Sequence, residues 1–350
     1  MSAPKVLLTG ATGYIGGSVL TTLLASENPL IKAAKITALV RKQEQVDLLK
    51  EKGIDSTLFS GLDDVSGVRD IASQYDVVIH TASSFDTPAA EALIAGLEDR
   101  KKKTGQQTSL IHTSGTSSLG DQPIRGTFAE QRVFSDKDDI YTYERYREDL
   151  EAYPQRTTDL VVFEKGEAAG VKTYIVTPPT IYGIGNGLFN RTSIQIDAVI
   201  RAAKVDGYAV RVGSGSEEWD HVHIADLVKL YETILARVLA GDELPSNKSG
   251  LYFAETGHHS WKELSDRVAK EGKALGYIHS DVVREVGLKD GSAKLHVPEL
   301  VVELGFASRS RTQAEKSREI GWAPTKTRQD FENSFLEEWK FLAKAAKWSV

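Results

Sequence analysis

The chain has 350 residues, 41% of them hydrophobic, and a formal net charge of -6. Its size and apolar content suit one large α/β unit or two fused lobes, and its mildly acidic balance argues against a general nucleic-acid binder. Because the sequence contains no cysteine, disulfides, thiolate catalysis and Cys-ligated metal sites are excluded.

The first half alternates short apolar runs with segments of helical period. Strands are predicted at residues 5–9, 36–40, 54–59, 76–82, 109–113 and 172–177. Helices are predicted between them at residues 17–26, 43–52, 64–75, 87–103 and 157–169, the fourth with Thr87 as N-cap and Pro88 at its first position. Strands that alternate with helices make right-handed crossovers, so we predict an α/β fold with a doubly wound parallel sheet.

After Pro178 and Pro179 the pattern loosens into glycine-marked loops, a short strand at 210–212 and amphipathic helices at 261–274 and 329–347. We expect residues 1–177 to form the cofactor domain. Residues 178–350 should form mainly a smaller substrate lobe over the carboxyl edge of the sheet, with some segments returning to the first core. The i, i+4, i+8 spacing of Phe331, Phe335 and Trp339 predicts a core-facing stripe.

A glycine loop (residues 10–16) lies directly between the first strand and the first helix. The first glycine permits a tight turn, the second a close approach to a pyrophosphate, and the third close packing of helix on strand. Free N–H groups and the helix dipole favour the anion there. The flanks therefore predict a Rossmann-type dinucleotide site, with contacts from Gly10, Thr12, Gly13, Tyr14, Ile15 and Gly16.

Two cationic residues, Arg41 and Lys42, follow the second strand. An acidic residue there would hold the ribose hydroxyls of NAD, whereas a cationic fork suits a 2′-phosphate. We therefore predict NADP (NADPH) as cofactor, with Arg41 at its 2′-phosphate. The alternative is a basic loop that is merely exposed to water.

The segment Thr-Gly-Ala-Thr-Gly-Tyr-Ile-Gly at 9–16 resembles the opening of extended and atypical short-chain dehydrogenase/reductases. Similar segments follow in the family's order at 78–82, 111–115, 177–183 and 221–227, so the resemblance covers roughly residues 5–230. The subset it resembles is the NAD-dependent epimerase/dehydratase-like one. The resemblance implies a ribose lined by Ala82 and Ser83, a nicotinamide near Pro178, Pro179 and Thr180, and a homodimer through the helices at 87–103 and 157–169.

Active members of that family use a Ser or Thr together with a Tyr and a Lys four residues apart on one helix. The Tyr exchanges a proton with the substrate, while the Lys lowers the tyrosine pKa and holds the ribose. The helix before residues 172–177 has no Tyr-x-x-x-Lys. When the helix is anchored on Glu164, the tyrosine position falls on Arg156 and the lysine position on Leu160, and Tyr153 lies one turn earlier.

The family's hydroxyl position, counted back from Gly120, holds Gly115. Its neighbours Ser114 and Thr116 are the candidates to hold a substrate oxygen. The alternation of a strand would send neighbouring residues to opposite faces. Ser114 is the first choice and Thr116 the second.

Three interpretations of Arg156 stay open: an electrophile that polarises a carbonyl, a ribose contact, or a surface helix residue. Because arginine stays protonated, it cannot shuttle a proton at neutral pH. The proton of a reduced product would then come from Tyr153, from Tyr182 or from water.

No metal site is predicted, since His221 and His223 alternate along a strand without a third ligand at fitting spacing. His258 and His259 are expected to face solvent. Trp219 is either a pocket wall or a buried aromatic.

These features together favour an NADP(H)-dependent oxidoreductase that acts on a small carbonyl-type metabolite. The alternatives are a non-catalytic NADP-binding sensor or regulator and a nucleotide-sugar epimerase or dehydratase, whose reaction also needs the Tyr–Lys pair. With no apolar run near the roughly 18 residues of a membrane helix and no signal-peptide pattern, we expect a cytoplasmic protein with no membrane or nucleic-acid partner.

Overall fold

The computed structural model describes residues 3–344. Its strands are β1 (Lys5–Thr9), β2 (Lys35–Val40), β3 (Ser56–Leu58), β4 (Val77–His80), β5 (Ser109–Thr113), β6 (Val133–Ser135), β7 (Lys172–Thr177), β8 (Thr180–Tyr182), β9 (Tyr208–Val212), β10 (Glu218–His223), β11 (Leu251–Phe253), β12 (Gly257–Ser260), β13 (Ser280–Val286) and β14 (Arg311–Gln313). Its helices are α1 (Tyr14–Leu24), α2 (Pro29–Ala33), α3 (Gln43–Glu51), α4 (Val65–Ala72), α5 (Thr87–Thr104), α6 (Ile140–Leu150), α7 (Pro154–Ala169), α8 (Gln195–Asp206), α9 (Ile224–Ala240), α10 (Trp261–Ala274), α11 (Leu288–Leu295), α12 (Glu299–Phe306), α13 (Glu315–Glu319) and α14 (Arg328–Lys344).

The central sheet has seven strands in the order β11-β7-β5-β4-β1-β2-β3. All of its neighbouring pairs are parallel, which confirms the predicted doubly wound α/β sheet of Rossmann type. The middle strands β4 and β5 are buried along their whole length, because the crossover helices of a parallel sheet cover both of its faces.

The second half of the chain contributes to two cores. β11 pairs with β7 at the edge of the central sheet, and α9 packs on α1. A separate apolar cluster contains the fully buried Phe331, Phe335 and Trp339, so the predicted core-facing stripe is confirmed. Outside the central sheet, the described strands form the short sheets β12-β10-β8, β13-β9 and β14-β6. The division at residue 177 and the homodimer stay predictions.

Several boundaries differ from the predicted ones for local reasons. α1 begins at Tyr14 rather than 17, because the end of the glycine loop is already helical. The N-cap of α5 is Asp86, not Thr87, since the Asp86 carboxylate accepts the Ala89 N–H at 3.1 Å. α7 begins at Pro154, with Tyr153 as its N-cap residue.

Other differences concern segments with weak periodic patterns. α6, which was not predicted, packs against α7. The third strand spans only Ser56–Leu58. α14 is described from Arg328 to Lys344, and residues 345–347 of the predicted helix lie outside the described residues.

Candidate functional site

The glycine loop is packed so closely against the residues after β4 that a side chain does not fit at two of its positions, Gly10 and Gly16. Gly10 has φ +75°, and a Cβ there would lie 2.7 Å from the Ala82 nitrogen. A Cβ on Gly16 would lie 2.3 Å from both the Gly10 carbonyl oxygen and Thr81 Oγ1. Only glycine fits at these two positions, so the backbone itself forms the surface of the loop.

The first turn of α1 offers backbone N–H groups without a side-chain cap. Its N-cap is Gly13, no side chain among residues 3–344 caps it, and the first turn has no acidic residue. The Gly13 and Gly17 N–H groups are used within the turn, by the carbonyls of Gly10 and Gly13. A helix start of this kind suits an anionic group. The residues present therefore fit the pyrophosphate of a dinucleotide.

The segment after β8 forms one wall of this site. The Tyr14 hydroxyl donates to the Gly183 carbonyl at 2.6 Å, and the Asn190 N–H donates to the Thr12 carbonyl at 3.2 Å. Leu188 and Phe189 border a cavity of about 280 Å³ beside α1 and α3. Residues 183–190 are thus anchored on the glycine loop at both ends.

Arg41 and Lys42 lie exposed at the carboxyl end of β2. Their backbone N–H groups both donate to Gln45 Oε1, at 3.2 Å each, which fixes the turn into α3. Lys42 pairs with Glu44 at 3.4 Å, whereas Arg41 has no ion-pair partner among residues 3–344. The Arg41 guanidinium is therefore available to a ligand.

The residues expected around the ribose and nicotinamide follow the carboxyl ends of two strands of the central sheet. Ala82 and Ser83 follow β4, and Pro178 and Pro179 follow β7, which is separated from β4 by β5. Thr180 begins β8 and pairs with His221, its own hydroxyl buried without a partner among the described residues. The structure thus brings the predicted segments to one edge of the sheet.

The two candidate hydroxyls differ in their surroundings. β5 ends at Thr113, so strand alternation does not extend to Ser114 or Thr116. Ser114 Oγ donates to the Asp159 carboxylate. The Thr116 N–H donates to the Pro178 carbonyl at 3.1 Å, while Thr116 Oγ1 is buried and has no hydrogen-bond partner in the described part of the chain.

Gln155 and Asp159, which sequence reasoning missed, are the α7 side chains that meet the end of β5. The Gln155 NH₂ group donates to Ser117 Oγ at 2.5 Å and to the Gly115 carbonyl at 3.1 Å. The Gln155 side-chain oxygen accepts from Ser84 Oγ at 2.8 Å and from the Gly115 N–H at 3.2 Å. Anchoring the helix on Glu164 predicts the family's tyrosine and lysine positions at Arg156 and Leu160, each one residue after this pair. The available signal was a pair of polar residues four apart, which share a helix face.

Arg156 is 1% exposed, so its interpretation as a surface residue is wrong. Its guanidinium donates to Glu148 Oε2 at 3.2 Å and to the carbonyls of Ser118 and Glu151 at 2.7 and 2.8 Å. Three of its five N–H donors are therefore engaged inside the protein. This arrangement ties α7 to α6 and to the turn after β5.

Tyr153 is buried, and its hydroxyl donates to Ser117 Oγ at 3.2 Å rather than meeting Ser114. Burial raises the pKa of Tyr153 to about 12. Tyr182 is also fully buried, and its ring packs edge-on against His221, His223 and Phe331. Both phenols are thus held in packed surroundings.

His221, His223 and His259 belong to an aromatic cluster. The prediction that His259 faces solvent is wrong, because it is buried at 3.3 Å from His221, whereas its neighbour His258 is exposed. The His221 ring stacks on Phe331, with centroids 3.9 Å apart. Burial lowers the pKa of His221 to about 3. Trp219 is buried beside Trp261. Within the described residues no three acidic, His or Cys side chains are grouped as metal ligands.

Among residues 3–344 the helices are too short or too polar to cross a membrane.

A family model described as the NAD dependent epimerase/dehydratase family matches residues 6–245. The protein named Oxidase ucsJ, from an Acremonium species, is 28% identical over 309 residues, covering 83% of this chain and 84% of the relative. An uncharacterized Schizosaccharomyces pombe protein is 26% identical over 254 residues, covering 68% and 72%.

Two solved structures match the chain from end to end. A dTDP-glucose 4,6-dehydratase from Streptomyces venezuelae, with NAD and TYD bound, has a TM-score of 0.68 and 16% identity, with 98% of each chain covered. A UDP-glucose 4-epimerase from Thermotoga maritima, with UDP-glucose, has a TM-score of 0.62 and 15% identity, with 97% and 100% covered. At such identities the likeness shows the fold alone.

Proposed function

The chain belongs to the NAD-dependent epimerase/dehydratase family, and from that membership we propose that it is an NADP(H)-dependent oxidoreductase that reduces or oxidises a small carbonyl-type metabolite. The observation that carries the proposal is the glycine loop, where close contacts at Gly10 and Gly16 leave room only for backbone at the uncapped start of α1. A family member with this cradle intact is equipped to hold a dinucleotide.

The bound cofactor would supply or accept a hydride at its nicotinamide ring. In the proposal, the first turn of α1 holds the pyrophosphate. Ala82 and Ser83 lie along the nicotinamide ribose, and Pro178 and Pro179 lie beside the nicotinamide. These segments follow β4 and β7, at the edge where open α/β sheets bind their ligands.

The preference for NADP rests on Arg41. Its guanidinium is exposed at the end of β2 and has no ion-pair partner among the described residues. A guanidinium binds a phosphate through two parallel hydrogen bonds, whereas ribose hydroxyls gain little from it. The solved neighbours named with a cofactor carry NAD, so the proposal distinguishes this chain from them.

Ser114 or Thr116 would orient the substrate oxygen. The turn that carries Thr116 is closed by the second half of the chain, because Ser310 Oγ donates to the Thr116 carbonyl at 2.7 Å. This contact removes the turn from water, which strengthens hydrogen bonds to a substrate oxygen.

The direct test is consumption of NADPH against aldehydes, ketones, enones and imines, with NADPH affinity measured by calorimetry. We expect turnover with at least one carbonyl class. Tight NADPH binding without turnover on any of them would contradict an oxidoreductase and support the sensor hypothesis, in which the protein holds NADP without redox chemistry.

A nucleotide-sugar epimerase or dehydratase is the second candidate, favoured by the end-to-end likeness to a dTDP-glucose dehydratase and a UDP-glucose 4-epimerase. Gln155 and Asp159 occupy the α7 face on which those reactions would need tyrosine and lysine. Such reactions regenerate their cofactor, so NMR of dTDP- and UDP-sugars would show a changed sugar without net NADPH consumption.

A further inference from the structure

A row of buried polar side chains crosses the central sheet beneath Ser114. The strand register pairs Thr9 with His80 and His80 with His112, so the three are direct neighbours on β1, β4 and β5. Thr9 Oγ1 lies 2.7 Å from His80 Nδ1. The two imidazole rings stack with centroids 5.2 Å apart. Side chains paired in this way share one face of the sheet, here the face towards α7.

The row continues onto α7 and ends at Ser114. His112 Nε2 lies 3.8 Å from Asp159 Oδ1, and the other oxygen of Asp159 accepts the Ser114 hydroxyl. His80 Nε2, both ring nitrogens of His112 and Asp159 Oδ1 have no hydrogen-bond partner among the described residues. Each buried, unpaired polar atom lowers the stability of the folded state. Apolar side chains would fill this space at less cost, so the row points to chemistry rather than to stability.

The Asp159 carboxyl is placed to carry a proton. It is 0% exposed, and no Lys or Arg of the described chain forms an ion pair with it. Burial first, and then the nearby Glu144 of α6, raise the pKa of Asp159 well above its usual range. The Ser114 hydrogen bond and Arg156 act in the opposite direction. Burial without a Lys or Arg partner favours the protonated form of the carboxyl, which can serve as an acid.

We infer that Asp159, acting through the Ser114 hydroxyl, supplies the proton that the substrate oxygen takes up, in place of the family's tyrosine and lysine. This inference rests on the proposed function. A bound reduced nicotinamide would supply the hydride that the carbonyl carbon receives, and the π pair of the C=O bond moves to the oxygen. For the proton transfer, the hydrogen bond between Ser114 and Asp159 reverses: the protonated carboxyl donates to Oγ, and the Ser114 hydroxyl donates to the substrate oxygen. That oxygen takes the proton of Ser114 Oγ, and Oγ takes the proton of Asp159. The resulting carboxylate regains a proton from water, leaving an alcohol and the oxidised cofactor.

Gln155 keeps this arrangement in register. It lies one helical turn before Asp159, and its amide holds the Gly115 backbone and the Ser117 hydroxyl. The turn that follows Ser114 is therefore fixed against α7. Because Asp159 acts through Ser114 and not on the substrate, it is a positioning residue that also stores the proton, and its test needs a readout other than turnover.

Infrared spectroscopy of the free protein gives that readout. At pH 7 we expect the C=O stretch of a protonated carboxyl group in the wild type and its loss in Asp159→Asn, so that it appears as a positive band in the wild-type-minus-variant difference. Glu164→Gln, which removes a half-exposed carboxylate on the same helix, should leave the band intact. Ser114→Ala should shift the band without removing it, because the acid loses its hydrogen-bond partner. An Asp159→Asn spectrum that has lost no protonated carboxyl would overturn the inference.

Kinetics then connects the acid to the reaction. With the carbonyl substrate found by the NADPH assay, Asp159→Asn should lower kcat by about a hundredfold or more, the usual contribution of a general acid, and leave the NADPH Kd unchanged. The wild-type rate should fall at alkaline pH as Asp159 ionises, and this fall should vanish in Asp159→Asn. If Asp159→Asn does not fold, Ser114→Ala serves as the test. It should shift the C=O stretch of the protonated carboxyl and lower kcat.

The two proposals fail differently. Full turnover by Asp159→Asn would refute the proton path and leave the oxidoreductase standing. A wild type that turns over no carbonyl compound would refute the proposed function and this inference with it.

Discussion

At the scale of single residues, Arg41 decides between two cofactors. Arg41→Ala should weaken NADPH binding by about ten- to a hundredfold, because a hydrogen bond to a charged group contributes about 1.5–3 kcal/mol. NADH binding should change little, since NADH has no 2′-phosphate. Calorimetry with both cofactors measures the difference.

The matched control is Lys35→Ala, which removes an exposed cation at the opposite end of the same strand β2. It should leave both affinities unchanged. Equal losses of NADPH and NADH in Arg41→Ala would show that Arg41 stabilises the loop after β2 rather than a phosphate, and the preference for NADP would lose its support.

At the scale of elements, the junction between β1 and α1 depends on Gly16. Gly16→Ala places a methyl group 2.3 Å from the Gly10 carbonyl and Thr81 Oγ1. Overpacking of this kind costs about 1–3 kcal/mol, and the displaced loop should also lose the stabilisation that bound NADPH gives. Urea unfolding with and without NADPH measures both effects.

Gly305→Ala on α12 is the control, because a Cβ there has no neighbour within 4 Å among the described residues and the position has no positive φ. Alanine in place of a helical glycine should be neutral or stabilise the protein by about 0.5–1 kcal/mol. If Gly16→Ala matched Gly305→Ala in stability and NADPH response, the loop would not be the close-packed cradle described above.

The same scale shows what sequence reasoning could and could not reach. The sheet and the glycine loop were predictable because buried parallel strands are continuous apolar runs and a glycine at a close contact has no substitute. The α7 side chain that meets the turn after β5 was not predictable, since the neighbours Gln155 and Arg156 are both polar and both buried. Only the packing of α6 and the turn after β5 shows which of them meets Ser117.

At the scale of the whole molecule, Glu338 links the second core to the cofactor loop. Its two carboxyl oxygens accept the Gly183 N–H at 2.9 Å and the Ser193 hydroxyl at 3.1 Å. The Gly183 carbonyl in turn accepts the hydroxyl of Tyr14, in the first turn of α1. These contacts join residues 145 to 169 positions apart in sequence, so no local pattern could have predicted them.

Burial raises the pKa of Glu338 to about 8 from an ordinary 4.5. The folded state therefore holds this proton more tightly than the unfolded state. The stability that this group contributes is complete below about pH 4.5 and is lost as the pH rises through about 8. Relative to Glu338→Gln, which cannot ionise, the wild type should lose on the order of a few kcal/mol of its free energy of unfolding across that window.

Urea unfolding of both proteins at pH 5, 6, 7 and 8 measures the loss. Glu337→Gln, an exposed neighbour on α14, should track the wild type at every pH. A wild type that runs parallel to Glu338→Gln would mean that water reaches this carboxyl, and that the link between α14 and the cofactor loop is open in solution.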